Sequence, residues 1–288
     1  MAGQPIAELV RQRSTELSPA ERRLAKVLLS SYPIAGLETL VRFAERAAVS
    51  PPTVTRFIGK LGFRGYPEFQ DRLRQEVQDR LSSPLARYDA GPAGGRSSST
   101  LDTSFDAFRR GLGATLDLIS EREFGEVAAL LSDRRHRVLV LGGRVSSVMA
   151  RYLAGQLHLL RPGVRLLDPE RTAPVGELID LRRRDVLVAF DYRRYQTDTV
   201  QSGRAASERG ATVVLFTDPW LSPASVYARH TLVTSVEAAA PFDSMVGALA
   251  VIEALVAAVL SRLGQQAQLR MRRLEELRKT AQAESYSR

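Results

Sequence analysis

Val49–Phe69 reads VSPPTVTRFIGKLGFRGYPEF, and this stretch decides how the first third of the chain folds. Ser50 can cap a helix, and Pro51 suits a first helical turn, where its missing amide would lack a partner anyway. Val54, Ile58 and Leu61 then recur at i, i+4 and i+7, which gives one buried stripe and a helix ending near Gly62. Thr53, Arg56 and Lys60 follow the same spacing on another face. Just upstream, the spacing predicts a helix over about Leu37–Ala47, with Leu40, Phe43 and Ala44 on one side. Ala47, Ala48 and Val49 are small enough for a tight turn between the two. A helix-turn-helix with a polar, basic face is what the DNA major groove accepts. Across residues 42–64 the bases are Arg42, Arg46, Arg56, Lys60 and Arg64, against the single acid Glu45. A helical bundle with a solvated basic face would show the same pattern, so spacing alone leaves both readings open.

Further out, Ser18-Pro19-Ala20-Glu21 has the cap, proline and acid of a helix start, and Leu24, Val27 and Leu28 continue it until Tyr32-Pro33. Another helix is expected from about Pro67 to Leu81. Ser82–Thr100, SSPLARYDAGPAGGRSSST, is rich in Gly, Pro and Ser and reads as a linker. The expected organisation is therefore a helical domain over 1–81, a linker over 82–100 and a second domain over 101–288. In that second part, two helical segments fill Phe105–Leu131. Short apolar strands then alternate with helices: Arg137–Gly143, Val164–Leu167, Asp185–Phe190, Val213–Thr217 and a weaker Thr231–Thr234. The intervening helices are Val145–Leu160, Thr197–Arg209 closed by Gly210, and the long apolar Met245–Leu263. Such alternation implies a parallel sheet covered on both faces.

Bulk properties agree. A length of 288 residues suits two domains, and 44% hydrophobic with 25% charged residues is an ordinary globular balance. There is no cysteine, which excludes disulfides and thiolate metal sites. The opening MAGQPIAELVRQR has no apolar leader core, so a cytoplasmic location is expected. Met245–Leu260 contains Glu253 and is too short for a convincing span. The net charge of +9 permits a nucleic-acid partner, but arginine far outnumbers lysine, as arginine-rich codon usage would also give.

The exact strings go further. LSPAERRLAKVLLSSYP followed by V-S-x-x-T-V-x-R-F-x-x-K-L-G-F-x-G-Y-x-E-F at Val49–Phe69 resembles the N-terminal helix-turn-helix domain of RpiR/MurR-type bacterial regulators, over nearly all of the first domain. The resemblance implies DNA contacts at Ser50, Thr53, Arg56 and Lys60, with Arg56 suited to a base edge and Lys60 or Arg64 to phosphate. Phe57 belongs to the core, and Phe63 and Tyr66 pack the end of the helix.

Residues from about 120 to 264 resemble a sugar isomerase (SIS) domain, the usual partner of that helix-turn-helix. The marks are the loop Gly142–Ser147, the DVLVAF strand, ERGATVVLFTD at Glu208–Asp218, and Ser222-Pro223. The implied fold is α/β overall: an all-α first domain plus a three-layer α/β/α domain with a parallel five-stranded sheet. The implied ligand is a phosphorylated sugar held at helix N-termini. Gly142, Ser146 and Ser147 would belong to the first loop, where Ser146 is retained while Arg144 replaces a usual glycine and Ser147 another common one. In the second loop the family pattern S-x-S-G-x-T is replaced by Asp191-Tyr192-Arg193-Arg194-Tyr195-Gln196. Two readings follow. Arg144, Arg193 and Arg194, with Asp191, Gln196 and the two tyrosines beside them, form a guanidinium site for carboxylate or phosphate. Alternatively the arginines are solvated or contact another subunit, and the site has decayed.

The chain lacks G-x-G-x-x-G, so no dinucleotide cofactor is expected. His136, His158 and His230 have no metal-ligand spacing, and no metal is expected. Aldose–ketose isomerisation of a phosphosugar is the alternative function; it needs a positioned base, and Glu237, after the last strand, is the one carboxylate that suggests it. Phe242-Asp243-Ser244 either closes the pocket or caps the next helix. The basic, amphipathic tail Gln265–Lys279 packs on a partner subunit or lies on a membrane. The resulting expectation is a non-enzymatic, DNA-binding regulator, a homodimer or homotetramer on a palindromic operator, with a small anionic metabolite as effector.

Overall fold

The computed structural model describes residues 5–30, 32–81, 84–89, 99–167 and 178–286. The first domain is helical: α1 (Ile6–Gln12), α2 (Pro19–Ser30), the single turn α3 (Ile34–Leu37), α4 (Leu40–Arg46), α5 (Pro51–Lys60) and α6 (Tyr66–Leu81). Its core gathers Ile6, Leu24, Leu28, Phe43, Val54, Phe57, Ile58, Phe69 and Leu73. α2 opens with the reciprocal bonds that its sequence promises. The Ser18 amide donates to Glu21 Oε2 at 2.8 Å, and the Glu21 amide donates to Ser18 Oγ at 3.3 Å. The helix expected over about Leu37–Ala47 is α4, which starts only at Leu40 because Thr39 takes extended backbone and its hydroxyl accepts the Arg42 amide; the turn α3 before it ends at Leu37. The helix α1, not foreseen, is anchored from 70 residues away: the Ile6 amide donates to Glu76 Oε1 at 2.9 Å.

Within the stretch read as a linker, Pro84–Asp89 forms a further helix, α7, while 82–83 and 90–98 lie outside the described residues. The second domain begins with α8 (Thr100–Leu118) and α9 (Glu121–Ser132). It continues through β1 (Val138–Gly142), α10 (Ser147–Leu160), β2 (Val164–Leu166), β3 (Val186–Phe190), α11 (Thr197–Glu208), β4 (Thr212–Thr217), β5 (His230–Val233), α12 (Val246–Leu263) and α13 (Gln265–Tyr286). The five strands are all parallel, in the order β2-β1-β3-β4-β5.

β1 and β3, at the centre of the sheet, are buried throughout because both faces are covered, whereas the edge strand β2 leaves Arg165 exposed. The strands' period of two splits them between two cores. Val138, Val140, Val186, Val188, Phe190 and Phe216 pack with the buried sides of α9, α10 and α12. Leu139, Leu141, Leu187, Ala189 and Leu215 pack on the other side with Ala206 of α11. Phe190 and Phe216 stack with centroids 4.4 Å apart. Val246–Leu263 is long and apolar enough to cross a membrane by composition, yet Val251, Ile252, Leu255 and Val259 are buried in this core. Arg161 is wholly buried after α10 with no carboxylate paired to it among the described residues; its Nη1 donates to the Leu131 carbonyl at 2.6 Å, and it also reaches the His136 carbonyl. The two domains touch where Ala7 packs with Leu221 and Val233, and where Arg11 donates to the Thr231 carbonyl at 3.1 Å. The tail helix α13 buries Ala267, while Leu269 and Leu277 remain exposed.

Candidate functional site

The first candidate surface is α5. Ala48 adopts left-handed backbone, φ 51°, to make the turn from α4. Arg23 of α2 steadies this turn by donating to the Ala47 and Ala48 carbonyls at 3.3 and 3.4 Å. Val54, Phe57, Ile58 and Leu61 are then driven inward, and Ser50, Thr55, Arg56, Lys60 and Arg64 are exposed. Thr53 corrects the expected face. Only 8% of it is exposed, because it sits at the edge of the buried stripe. Its hydroxyl pairs with Ser50 Oγ at 2.9 Å and accepts from Arg56 Nη2 at 3.4 Å. Ser50 takes the cap position but makes no side-chain bond to an amide of α5.

Lys60 departs from the expected free cation: its Nζ meets Glu21 Oε2 at 2.8 Å and the Glu16 carbonyl at 3.2 Å. Burial would raise the Glu21 pKa, but hydrogen bonds from Lys60 and Ser18 outweigh it and hold it below the usual range. Tyr66 and Phe63 pack on Phe69, as the sequence implied.

The second candidate is a cavity of about 500 Å³ beyond the C-terminal ends of β1 and β3. Strand order reverses there, β1 leading outward to β2 and β3 to β4, which is where open α/β sheets hold ligands. The amino ends of α10 and α11 face the same region. Gly142 and Gly143 let the first loop fold tightly. A Cβ on Gly142 would lie 2.6 Å from the Ser146 carbonyl oxygen and 2.8 Å from the Ser147 amide. Arg144 is exposed at the rim, and Arg194, also exposed, stands at φ 63°. Gly143, Arg144, Ser146, Asp191, Arg193, Arg194 and Gln196 all line the cavity; Gly142 and Ser147 are not part of the lining.

Several of these side chains are already engaged. Ser146 is buried and its hydroxyl donates to the Phe190 carbonyl at 2.8 Å; Ser147 donates to the Arg144 carbonyl at 2.9 Å. Asp191 is a loop brace, accepting from the Gln196 amide at 3.0 Å and from the Ser222 hydroxyl. The hydroxyls of both tyrosines are turned away to partners inside the protein. Tyr192 turns inward to Thr234 at 2.9 Å, and burial pushes its phenol above the ordinary range. Tyr195 donates to Asp218 Oδ1 at 2.8 Å. Arg193 is not a free guanidinium either: it forks onto Asp243 and lies 4.2 Å from the centroid of Trp220.

Sequence reasoning missed three participants. Asp218, fully buried at the end of β4, has its carboxyl pushed up to about 6, chiefly by burial. Among the described residues no donor reaches its Oδ2. Asp243 was foreseen as a pocket-closing or capping position but not as an ion-pair partner. Arg87 of α7 reaches the cavity and donates to Asp243 Oδ1 at 2.9 Å; no periodicity in its Gly/Pro-rich surroundings signals it. Glu237, the carboxylate that suggested isomerase chemistry, is outside the cavity lining and pairs with Arg110 at 2.7 Å.

A helix-turn-helix ahead of a doubly covered parallel sheet with a pocket at its switch point defines a two-domain DNA-binding transcription regulator. Residues 4–80 match the helix-turn-helix domain of the rpiR family, and residues 130–258 match the SIS domain. The chain belongs to the RpiR family of helix-turn-helix regulators with an SIS domain. The HTH-type transcriptional regulator HexR of Pseudomonas aeruginosa is 25% identical over 94% of each chain. Among solved structures, the sugar isomerase domain of an RpiR transcription factor from Sphaerobacter thermophilus aligns with TM-score 0.56 and 27% identity, over 61% of this chain and 98% of that one. The Vibrio vulnificus NanR protein, complexed with ManNAc-6P, aligns with TM-score 0.53 and 20% identity over 94% and 97%.

Proposed function

We propose that this regulator binds duplex DNA through the exposed face of α5 and adjusts that binding when a small anionic metabolite, a phosphosugar or a carboxylate, fills the cavity. Arg56 and Arg64 supply the cations for DNA, with Ser50 and Lys60 at the margin and Thr53 bracing Arg56 rather than reading a base. The amino end of α5 supports this reliance on side chains. Pro51 and Pro52 have no N–H, and the Thr53 amide is already bonded to the Ser50 carbonyl at 2.9 Å.

The observation that carries the sensor reading is the cavity's charge: Arg87, Arg144, Arg193 and Arg194 line it against Asp191 and Asp243, four cations to two carboxylates. Amides at the starts of α10 and α11 add favourable dipoles for an anion. The SIS domain acts as a sensor and not as an isomerase, since the carboxylate considered for a catalytic base is paired away from the cavity. Exposed Leu101, Phe105 and Leu116 along α8 support assembly into a homodimer or homotetramer. Two helix-turn-helix units then require half-sites about one helical turn, or a multiple of it, apart on a palindromic operator.

The test is operator binding by the full chain in the presence of a panel of phosphosugars and sugar acids at constant ionic strength. At least one should change operator affinity five-fold or more, the size of an ordinary allosteric coupling. Turnover of any phosphosugar, or no response to any anion, would contradict the sensor reading.

A further inference from the structure

Asp243 is where the cavity and the connection between the domains meet. Its carboxylate, largely buried, takes Arg193 on both oxygens and Arg87 on Oδ1, which the two guanidiniums share. Arg193 is sequestered, with its side chain only 9% exposed, and its ring-stacked face on Trp220 fixes where the fork points. Arg87 comes from α7, which starts three residues after the last residue of α6. The helix α6 in turn is locked into the DNA-binding domain by Phe69 and Leu73. Asp243 is thus shared by two guanidiniums. The sharing leaves a gap on one of them: Arg87 Nε is buried and has no acceptor among the described residues. The other carboxylate in the lining, Asp191, cannot make up the difference, since it is bonded to the Gln196 amide and Ser222.

We propose that Arg87 is a ligand-contacting residue of the sensor pocket and that Asp243 is a built-in stand-in for the effector's anionic group. Asp243 holds Arg87 and Arg193 together through its Oδ1. A phosphate or carboxylate with more acceptor oxygens displaces it, satisfies Arg87 Nε as well, and so takes hold of the segment joining the two domains. This rests on the anion-sensor reading above and adds to it how occupancy reaches the DNA-binding domain: through a side chain of the connecting segment, with no transmission across the sheet required.

Inorganic phosphate is a suitable probe, titrated into the full chain at constant ionic strength with chloride as the balancing anion. The only tryptophan, Trp220, lies against Arg193, so its fluorescence reports the site directly. Calorimetric titration gives a second readout. Asp243→Asn removes the competing charge and should tighten phosphate binding about ten-fold. Arg87→Gln should weaken it at least five-fold, and should cancel most of the gain when combined with Asp243→Asn. Arg87→Lys, which keeps the charge, should recover part of the loss. If Arg87→Gln leaves phosphate affinity unchanged in both backgrounds while Arg193→Gln weakens it, the pocket is an anion site without Arg87, and this proposal falls while the sensor reading stands. If Asp243→Asn fails to tighten binding, the stand-in role is wrong. If no variant responds to phosphate by either readout, both readings fall together.

Discussion

Arg56 on α5 and Arg193 in the cavity carry the same side chain in opposite surroundings. Arg56 is exposed, with a threonine hydroxyl at 3.4 Å as its hydrogen-bond acceptor. Arg193 is enclosed by a carboxylate and an indole ring. The first arrangement suits a large polyanion that arrives from solvent and releases counterions, so its strength must depend on salt. The second suits one small anion that must outcompete an internal one, and a buried pair is screened far less by salt. On the proposed function, the molecule would separate two kinds of anion recognition by how much compensation each cation already has.

The contrast also concerns rigidity. The cavity is shaped by close backbone approach, whereas the α5 face is shaped by side chains projecting into open space. Gly142→Ala should therefore cost about 3 kcal/mol in denaturant unfolding, the upper end for overpacking, because its Cβ meets main-chain atoms that cannot rotate away. An unfolding midpoint unchanged from wild type would mean that the loop is soft and not prebuilt.

A titrating acid lies outside the cavity lining, hydrogen-bonded to Tyr195 of the second loop. Asp218 ionises in the folded state near 6, above its ordinary 3.8. Its contribution to stability is then complete below about 3.8, and is lost as pH rises through about 6, a change of about 3 kcal/mol at 1.36 kcal/mol per pK unit. Unfolding free energies measured from pH 4 to pH 7 should show that fall in the wild type and a flatter profile in Asp218→Asn. Equal profiles would remove Asp218 from this role.

On the open face, effects should be smaller on stability and larger on binding. Arg56→Ala should weaken operator binding by about 1–3 kcal/mol, the range for one specific base contact, while leaving the unfolding midpoint nearly unmoved. Thr53→Val should cost operator affinity about 1 kcal/mol by releasing Arg56 from its brace. Gly59→Ala completes the contrast with Gly142. A Cβ there meets nothing within 4 Å, so the same substitution should stabilise the helix by about 0.5–1 kcal/mol. Destabilisation at Gly59 would show that α5 is not open as described.

Legibility in the sequence followed range. The Ser18–Glu21 box, the α5 stripe and the five strands depend on neighbours within a few residues, and their patterns were readable. α1 depends on Glu76, and its own seven residues carry no comparable signal. Thr53 was read onto the exposed face because periodicity fixes angles around a helix but not where the neighbouring helices end. The second loop showed that the usual hydroxyls were gone and that arginines had come in. It could not show that Asp243, 50 residues on, neutralises Arg193, or that Arg87, in a stretch whose composition reads as unstructured, joins them. The same limit applied to Tyr192 and Tyr195, whose hydroxyls are taken by Thr234 and Asp218.

The most direct measurement is the affinity of the full chain for duplex DNA across a range of salt concentrations, for wild type and Arg56→Ala side by side. Log affinity should fall linearly with log salt in the wild type. Arg56→Ala should lie below it and discriminate less between operator and unrelated sequence. Affinity indifferent to salt, or two indistinguishable curves, would contradict the assignment of α5 as the DNA-reading helix.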